Sequence, residues 1–110
     1  MNNILIANFL NYKAIKIGKF LKNKGYHVFG IDKFENEDSK LADRFFKVDL
    51  RHRESLELVF TVVKPDVIIF CMDNIRNNGF DYVDYSYPTY MNILSTAIRF
   101  GIKKVILSLE

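Results

Sequence analysis

The residues whose types and spacing suggest chemistry lie at the ends of short apolar runs. Asp32 closes the run 28–32, where an acid in a parallel α/β sheet can bind both hydroxyls of a ribose or can be a solvent-exposed residue at a strand end. Asn8 and Asn11 follow the apolar run 4–7, and asparagine tolerates a left-handed backbone better than most residues. The pattern predicts a tight turn that opens a helix, at an edge of the sheet where such proteins bind ligands.

The other chemically capable side chains are isolated. His27 and His52 lack metal-ligand spacing, so we expect structural or surface roles for them and no metal site. Cys71 ends a strand-like run without a histidine nearby in sequence, so we expect a buried, unreactive thiol. Tyr12 and Lys16 form a Tyr-x-x-x-Lys at the start of the first predicted helix, which we interpret as a chance occurrence.

The elements that must position these residues follow from the apolar periodicity. Strand-like and helix-like segments alternate along the chain, which is typical of an α/β protein with a parallel sheet. The predicted strands are 4–7, 28–32, 44–48, 66–71 and 103–108, and the predicted helices are 12–21, 53–63 and 82–100. Right-handed crossovers give the strand order 3-2-1-4-5. We therefore predict one Rossmann-like, three-layer α/β/α domain over 1–110; the family resemblance given below further implies that no substrate domain is included.

Local residues predict where the helices end and which face is buried. Gly25 and Gly101 are suited to terminate the helices that precede them. Pro88 lies inside the 82–100 pattern and predicts a kink or a later start. The same pattern predicts one apolar face made of Met91, Leu94, Ala97 and Ile98. For the 53–63 helix we expect Glu54 and Ser55 to favour the first turn.

The composition is that of an ordinary globular domain. Hydrophobic residues make up 49% and charged residues 26% of the 110 residues, which excludes a disordered chain. The net charge of +3 is spread out and no basic run alternates with aromatics, so we expect no nucleic-acid partner. A single cysteine precludes an internal disulfide. Because neither a membrane-length apolar run nor a signal-peptide pattern occurs, we expect a cytoplasmic protein without a membrane partner.

Six short motifs occur in an order and spacing that resemble a known family. They are Gly25-Tyr26-His27-Val28, Asp32, Asp49-Leu50, Pro65-Asp66-Val67-Ile68-Ile69, Asn92-Ile93-Leu94 with Ala97, and Gly101-Ile102-Lys103-Lys104-Val105. The chain resembles the N-terminal part of the extended short-chain dehydrogenase/reductases, the NAD-dependent nucleotide-sugar epimerases and dehydratases. The resemblance implies a Rossmann fold in which Asp32 binds ribose. It also implies that Asp49 and Leu50 lie beside the adenine of NAD.

The sequence departs from this family where the cofactor would lie. The three fingerprint glycines of the family, which serve a tight turn, a close approach to pyrophosphate and helix packing, fall on Asn8, Asn11 and Ala14. Ala14 can do the packing. For the two asparagines, two interpretations stay open: a helix cap with a turn, or retained contact with a dinucleotide. Cys71 lies in the segment that lines the cofactor in the family.

Further positions of the family pattern have also changed. The altered segments are Phe70-Cys71-Met72-Asp73, Ser86 with Thr89, and Ser108-Leu109-Glu110. The catalytic Tyr-x-x-x-Lys of the family lies later than these residues. We therefore expect no catalytic residue in this chain, and we expect it not to be an enzyme on its own.

Two functional hypotheses follow, and a third is weaker. The first is a degenerate Rossmann domain with a binding, regulatory or assembly role and no bound cofactor. The alternative is the NAD-binding portion of an active epimerase or dehydratase, completed by another segment or chain, with a dinucleotide or sugar nucleotide as ligand. The resemblance also implies a homodimer through the 82–100 helix. The third is an interaction module that works through the edge of the fifth strand or the tyrosines of that helix.

Overall fold

A parallel sheet of five strands lies at the centre of the structure, a computed structural model that describes residues 2–72 and 87–108. The strands are β1 (Asn3–Ala7), β2 (His27–Asp32), β3 (Arg44–Lys47), β4 (Val67–Cys71) and β5 (Lys104–Ser108). The helices are α1 (Tyr12–Asn23), α2 (Arg53–Val63) and α3 (Tyr87–Arg99), with a 3-10 helix over Glu37–Leu41. The order β3-β2-β1-β4-β5 confirms the predicted Rossmann-like sheet.

Both faces of the sheet carry a buried apolar layer. Along β1, Leu5 and Ala7 belong to the layer that packs under α2 and α3. Ile4 and Ile6 belong to the layer under α1. Successive side chains alternate between the two layers because a strand has a two-residue period. Since helices cover both layers, a central strand of this parallel sheet is apolar on both sides.

Two glycines end helices as predicted. Gly25 has φ +91° and Gly101 has φ +70°, a backbone region that residues with a Cβ rarely adopt. After α1, the N–H of Tyr26 donates to the carbonyl of Leu21 at 3.1 Å. After α3, the N–H of Ile102 donates to the carbonyl of Ala97 at 2.9 Å. Both ends therefore satisfy carbonyls that the last helical turn leaves without a partner.

The N-cap of α2 differs from the prediction. Glu54 does lie in the first turn, but the capping side chain is His52, whose Nδ1 accepts from the N–H of Ser55 at 3.3 Å. The same nitrogen lies 2.8 Å from the Ser55 hydroxyl. The role of His52 is therefore structural, as expected, although a capping histidine was not anticipated.

The predicted apolar face of α3 is wrong at two of its four residues. Met91 is 45% exposed and Ile98 is 77% exposed. The buried side chains are instead Thr89, Ile93, Thr96 and Ala97. Two residues that count as polar in a pattern, Thr89 and Thr96, thus belong to the buried side of the helix, and the Thr96 hydroxyl accepts from the guanidinium of Arg99 at 3.1 Å. Pro88 is the second residue of α3, and the predicted segments 73–80 and 82–86 lie outside the described residues.

Candidate functional site

The carboxyl ends of β2, β1 and β4 lie side by side and form the candidate site. From β1 the chain continues to β2 and β3 on one side of the sheet and then returns to β4 on the other side of β1, so the strand order changes direction at β1. Ligands of open α/β sheets bind in the crevice at such a change of direction. Here the structure brings together three predicted site residues, Asn8 after β1, Asp32 at the end of β2 and Cys71 at the end of β4.

Asn8 has the backbone of a glycine and a side chain that crosses the crevice. Its φ is +65°, and its own N–H and that of Phe9 both donate to the carbonyl of Ile31, at 2.9 and 3.1 Å. Its side-chain Nδ2 donates to the carbonyl of Cys71 at 2.8 Å, and the residue is only 8% exposed. A left-handed backbone costs a residue with a Cβ about 1–2 kcal/mol, and a buried hydrogen bond of about 1 kcal/mol offsets much of it. The tight turn therefore survives without glycine.

Asn11 caps α1 and does not use the conformational freedom of a glycine. Its backbone is extended, with φ −62° and ψ 138°. Its Oδ1 accepts from the N–H of Lys13 at 2.9 Å, and its carbonyl accepts from the N–H of Ile15 at 3.1 Å. The N–H groups of a first helical turn are also the donors that bind phosphate. One of them is therefore already hydrogen-bonded within the chain.

The carboxylate of Asp32 holds the two loops beside it. Its Oδ2 accepts from the N–H of Leu10 at 3.0 Å, and its Oδ1 accepts from the N–H of Phe34 at 3.1 Å. A carboxylate has about four acceptor positions, so about two remain for a ribose diol. The residue is only 4% exposed, so it is not a solvent-exposed strand end, and little of it is accessible to a ribose.

Phe9 lies in the turn of the candidate site, and the sequence did not predict a role for it. Its side chain is fully buried in the layer under α1 and lies 6.2 Å, centroid to centroid, from the ring of Phe45. A Cβ on Gly30 would lie 2.6 Å from its Cγ, and one on Gly18 would lie 3.2 Å from its Cε1. Glycines inside a strand and a helix indicate such a close approach. Gly18 and Gly30 therefore indicate that a large side chain packs against them and holds the turn in place.

Asp49 and Leu50 follow β3, on the far side of β2 from Asn8. Leu50 is fully buried in the layer under α2 and α3, and its carbonyl accepts from Nδ2 of Asn92 at 2.8 Å. Asp49 pairs with the guanidinium of Arg51 at 2.8 Å. The hydrogen bond from Arg51 lowers the pKa of the Asp49 carboxyl from its ordinary value. The segment is thus held by its own contacts at the edge of the candidate crevice.

The other candidate site residues that the structure describes are either buried beside the sheet or exposed on α1. Ala14 is fully buried between α1 and the sheet, which suits close helix packing. Cys71 is buried and forms no disulfide, in agreement with the expected burial. Tyr12 and Lys16 are exposed on α1, and Lys16 lowers the pKa of Tyr12 through a side-chain hydrogen bond and its charge. Asp73, Ser86, Leu109 and Glu110 lie outside the described residues.

Two further findings concern the described part of the chain. Within residues 2–72 and 87–108, no group of three His, Cys, Asp or Glu side chains is arranged to hold a metal ion. Over the same ranges, every helix is too short or too polar to cross a bilayer.

The fold and the site define a Rossmann-type domain of the dinucleotide-binding class. The chain matches the NAD dependent epimerase/dehydratase family over residues 16–108, and it belongs to that family. The predicted resemblance is therefore confirmed. No curated protein sequence matches the chain significantly.

Solved structures of this class superpose on nearly the whole chain. UDP-glucose 4-epimerase from Bifidobacterium longum, in complex with NAD+ and UDP, has a TM-score of 0.84 at 19% identity, covering 97% of this chain and 36% of that one. The Thermus thermophilus UDP-glucose 4-epimerase complex with NAD has a TM-score of 0.81 at 18% identity, covering 94% and 36%. L-Threonine dehydrogenase from Clostridium difficile has a TM-score of 0.80 at 16% identity, covering 94% and 35%. The chain thus spans a little over a third of the length of these proteins.

Proposed function

We propose that this chain is a degenerate dinucleotide domain of the epimerase/dehydratase type, with weak or no NAD binding and a non-catalytic binding, regulatory or assembly role on its own. The observation that carries the proposal is the hydrogen bond from Asn8 Nδ2 to the carbonyl of Cys71. It joins the two strand ends between which a dinucleotide would enter. Polar groups that would face a ligand are thus bonded to one another.

The helix cap supports the same proposal at the pyrophosphate position. The Oδ1 of Asn11 competes with a phosphate oxygen for the N–H of Lys13. An N-cap hydrogen bond contributes about 1 kcal/mol, so a phosphate that replaces it loses that amount from its binding free energy. This alone weakens binding about fivefold, before the volume of the two asparagine side chains is considered.

NAD is the dinucleotide that we assign to any residual binding. An acid at the end of β2 suits the two free hydroxyls of the NAD ribose, and it would repel the 2′-phosphate of NADP. Asp32 supplies that acid. The structurally similar UDP-glucose 4-epimerase from B. longum was solved in complex with NAD+ and UDP. A sugar nucleotide is accordingly the proposed ligand of a whole protein that contains this domain.

The proposal is tested by calorimetric titration of NAD into four proteins. The variants are Asn8→Gly/Asn11→Gly, the same pair with Asp32→Ala, and Asn23→Gly as a matched exchange at the far end of α1. We expect no micromolar binding by the wild type and the Asn23→Gly control. The double glycine variant should bind at least about tenfold tighter, and Asp32→Ala should remove that gain. Micromolar NAD binding by the wild type would contradict the proposal.

A second candidate function is the NAD-binding portion of an active epimerase or dehydratase, completed by another segment or chain. The left-handed φ of Asn8 and the unused acceptor positions of Asp32 favour it, because both preserve features of a working site. Micromolar NAD binding by the wild type, the result that contradicts the first proposal, would support this one.

We further propose that residues 1–110 behave as a single domain in the reducing cytoplasm and self-associate through α3. A single buried cysteine without a disulfide, Cys71, fits a reducing compartment. Exposed apolar residues on α3, Met91 and Ile98, fit an interface. Light scattering on wild type and Ile98→Lys tests the dimer: we expect a dimer mass that the substitution lowers, and a monomeric wild type at high concentration would contradict it.

A further inference from the structure

The exposed face of α1 alternates aromatic rings with ammonium groups. Tyr12, Lys16, Phe20 and Lys24 follow one another at intervals of four residues, so they form a continuous stripe along the helix. Tyr12 is 73% exposed and Phe20 is 60% exposed. Lys16 Nζ lies 4.6 Å from the centroid of the Tyr12 ring, and Lys24 Nζ lies 5.4 Å from that of Phe20. Below, these four residues are called the α1 stripe.

The charge around the α1 stripe is strongly one-sided. Residues 12–24 contain five lysines and no acid, whereas the whole chain has a net charge of only +3. The rest of the chain is therefore net acidic. Lys22 does not add to the charge of this face, because it lies on another side of α1 and pairs with Asp43 at 3.5 Å. Lys16, Lys19 and Lys24 are exposed on the outer side.

The outer face of α1, with its separate rings and lysines, differs from the face that a helix presents to a membrane surface. Such a helix inserts a continuous apolar face into the lipid. The apolar face of α1, which includes Ala14 and Gly18, is buried against the sheet. Only two separate rings remain outside, each next to a cation. Rings that alternate with cations are typical of surfaces that bind single-stranded nucleic acids, where bases stack and lysines meet phosphates.

We propose that the α1 stripe binds single-stranded nucleic acid. The rings of Tyr12 and Phe20 supply two stacking platforms about 12 Å apart along the helix axis. Lys16 and Lys24 supply the charges for the backbone phosphates. The linear sequence contains no basic run that alternates with aromatics, which is why no such partner is expected from it, because this alternation arises only when residues four apart meet on a helix. The inference does not depend on whether NAD binds.

The proposal is tested with a fluorescently labelled 12-nucleotide oligo(dT), whose anisotropy is followed at 50 and 200 mM salt. The ring variant is Tyr12→Ser/Phe20→Ser, and the charge variant is Lys16→Gln/Lys24→Gln. The control is Lys64→Gln/Lys103→Gln, an equal loss of charge in a groove on the α2 and α3 side. All these positions are exposed or half-buried, and circular dichroism confirms that each variant folds.

We expect the wild type to bind with a dissociation constant between about 1 and 100 μM at the lower salt. The ring variant should bind about tenfold more weakly or worse, although its charge is unchanged. The charge variant should lower the slope of log K against log salt by about 1.4, the loss expected for two phosphate contacts with a single strand. The control should bind like the wild type at equal salt, apart from a small long-range effect.

Three outcomes would overturn the proposal. The first is a wild type that does not bind the oligonucleotide up to millimolar protein. The second is a ring variant that binds as tightly as the wild type, or a control that loses as much as the charge variant. The third is a wild type that binds phosphatidylserine vesicles but no oligonucleotide, which would assign the α1 stripe to a membrane surface instead.

Discussion

A methyl group added at Gly30 should destabilise the protein only while Phe9 is present. The Cβ of Gly30→Ala would lie 2.6 Å from Cγ of Phe9, well inside van der Waals contact. Phe9 is fully buried and packs against Phe45, so its ring has little room to retreat. Overpacking of this kind costs about 1–3 kcal/mol. Without the clash, alanine in place of a glycine in a strand should instead gain about 0.5–1 kcal/mol.

The assay is urea unfolding of wild type, Gly30→Ala, Phe9→Leu and the double variant. Phe9→Leu keeps the core apolar, so all four proteins should fold. We expect Gly30→Ala to lower the free energy of unfolding by about 1–3 kcal/mol alone and by much less beside Phe9→Leu, a coupling of at least about 1 kcal/mol.

Gly25→Ala is the matched control for this cycle. Gly25 has φ +91° and nothing within 4 Å of its added Cβ, so its penalty comes from the backbone alone. That penalty should be the same with Phe9 or Leu at position 9. An equal cost of Gly30→Ala in both backgrounds would refute the account of Phe9 as the anchor of the turn.

Three further predictions concern hydrogen bonds and one ion pair. Asn8→Asp replaces the donor to the β4 carbonyl by an acceptor, so thermal unfolding should show a loss of about 1–3 kcal/mol; an unchanged melting temperature would contradict this. Asn92→Ala removes the donor to the Leu50 carbonyl and should cost about 1 kcal/mol in urea unfolding, against no effect if the loop is held otherwise. The pKa of Asp49 is lowered by Arg51, so the pair stabilises the protein above the unfolded pKa of about 3.9 and the benefit is lost as pH falls through the folded pKa. The exposed pair is worth at most about 1 kcal/mol, so urea unfolding should show Arg51→Gln to be less stable than wild type by up to that amount at pH 7 and by a shrinking margin at lower pH; an equal margin at every pH would contradict this.

The fold was predictable because its determinants are local or periodic. Five apolar runs and the right-handed crossover rule were enough for the order β3-β2-β1-β4-β5. Gly25 and Gly101 each mark a helix end through a backbone conformation that few other residues adopt. Neither inference needs knowledge of which side chains touch across the core.

The details that the sequence did not reveal depend on such contacts. Phe9 lies in a turn, and only the glycines opposite it, Gly18 and Gly30, indicate that its ring is buried. In α3, Thr89 and Thr96 are buried although threonine counts as polar, so a polarity pattern misplaced two of the four predicted residues. In both cases the decisive fact is the shape of the space that a side chain fills.

For the candidate site, the sequence predicted which residues lie at the strand ends but left the roles of the two asparagines open. Asn11 as a helix cap and Asn8 as a turn residue were one of two interpretations, and the structure gives both side chains internal partners. The bond from Asn8 to Cys71 joins residues that are 63 positions apart. No local pattern predicts a contact at that separation.

The central claim is that Asn8 and Asn11 close the crevice that would hold a dinucleotide. The most direct measurement is the change in NAD affinity when both are replaced by glycine, followed by calorimetry beside the wild type. The account predicts that the glycine pair binds at least about tenfold more tightly, and that the gain depends on Asp32. A wild type that binds NAD as tightly as the glycine variant, at micromolar concentration, would contradict it.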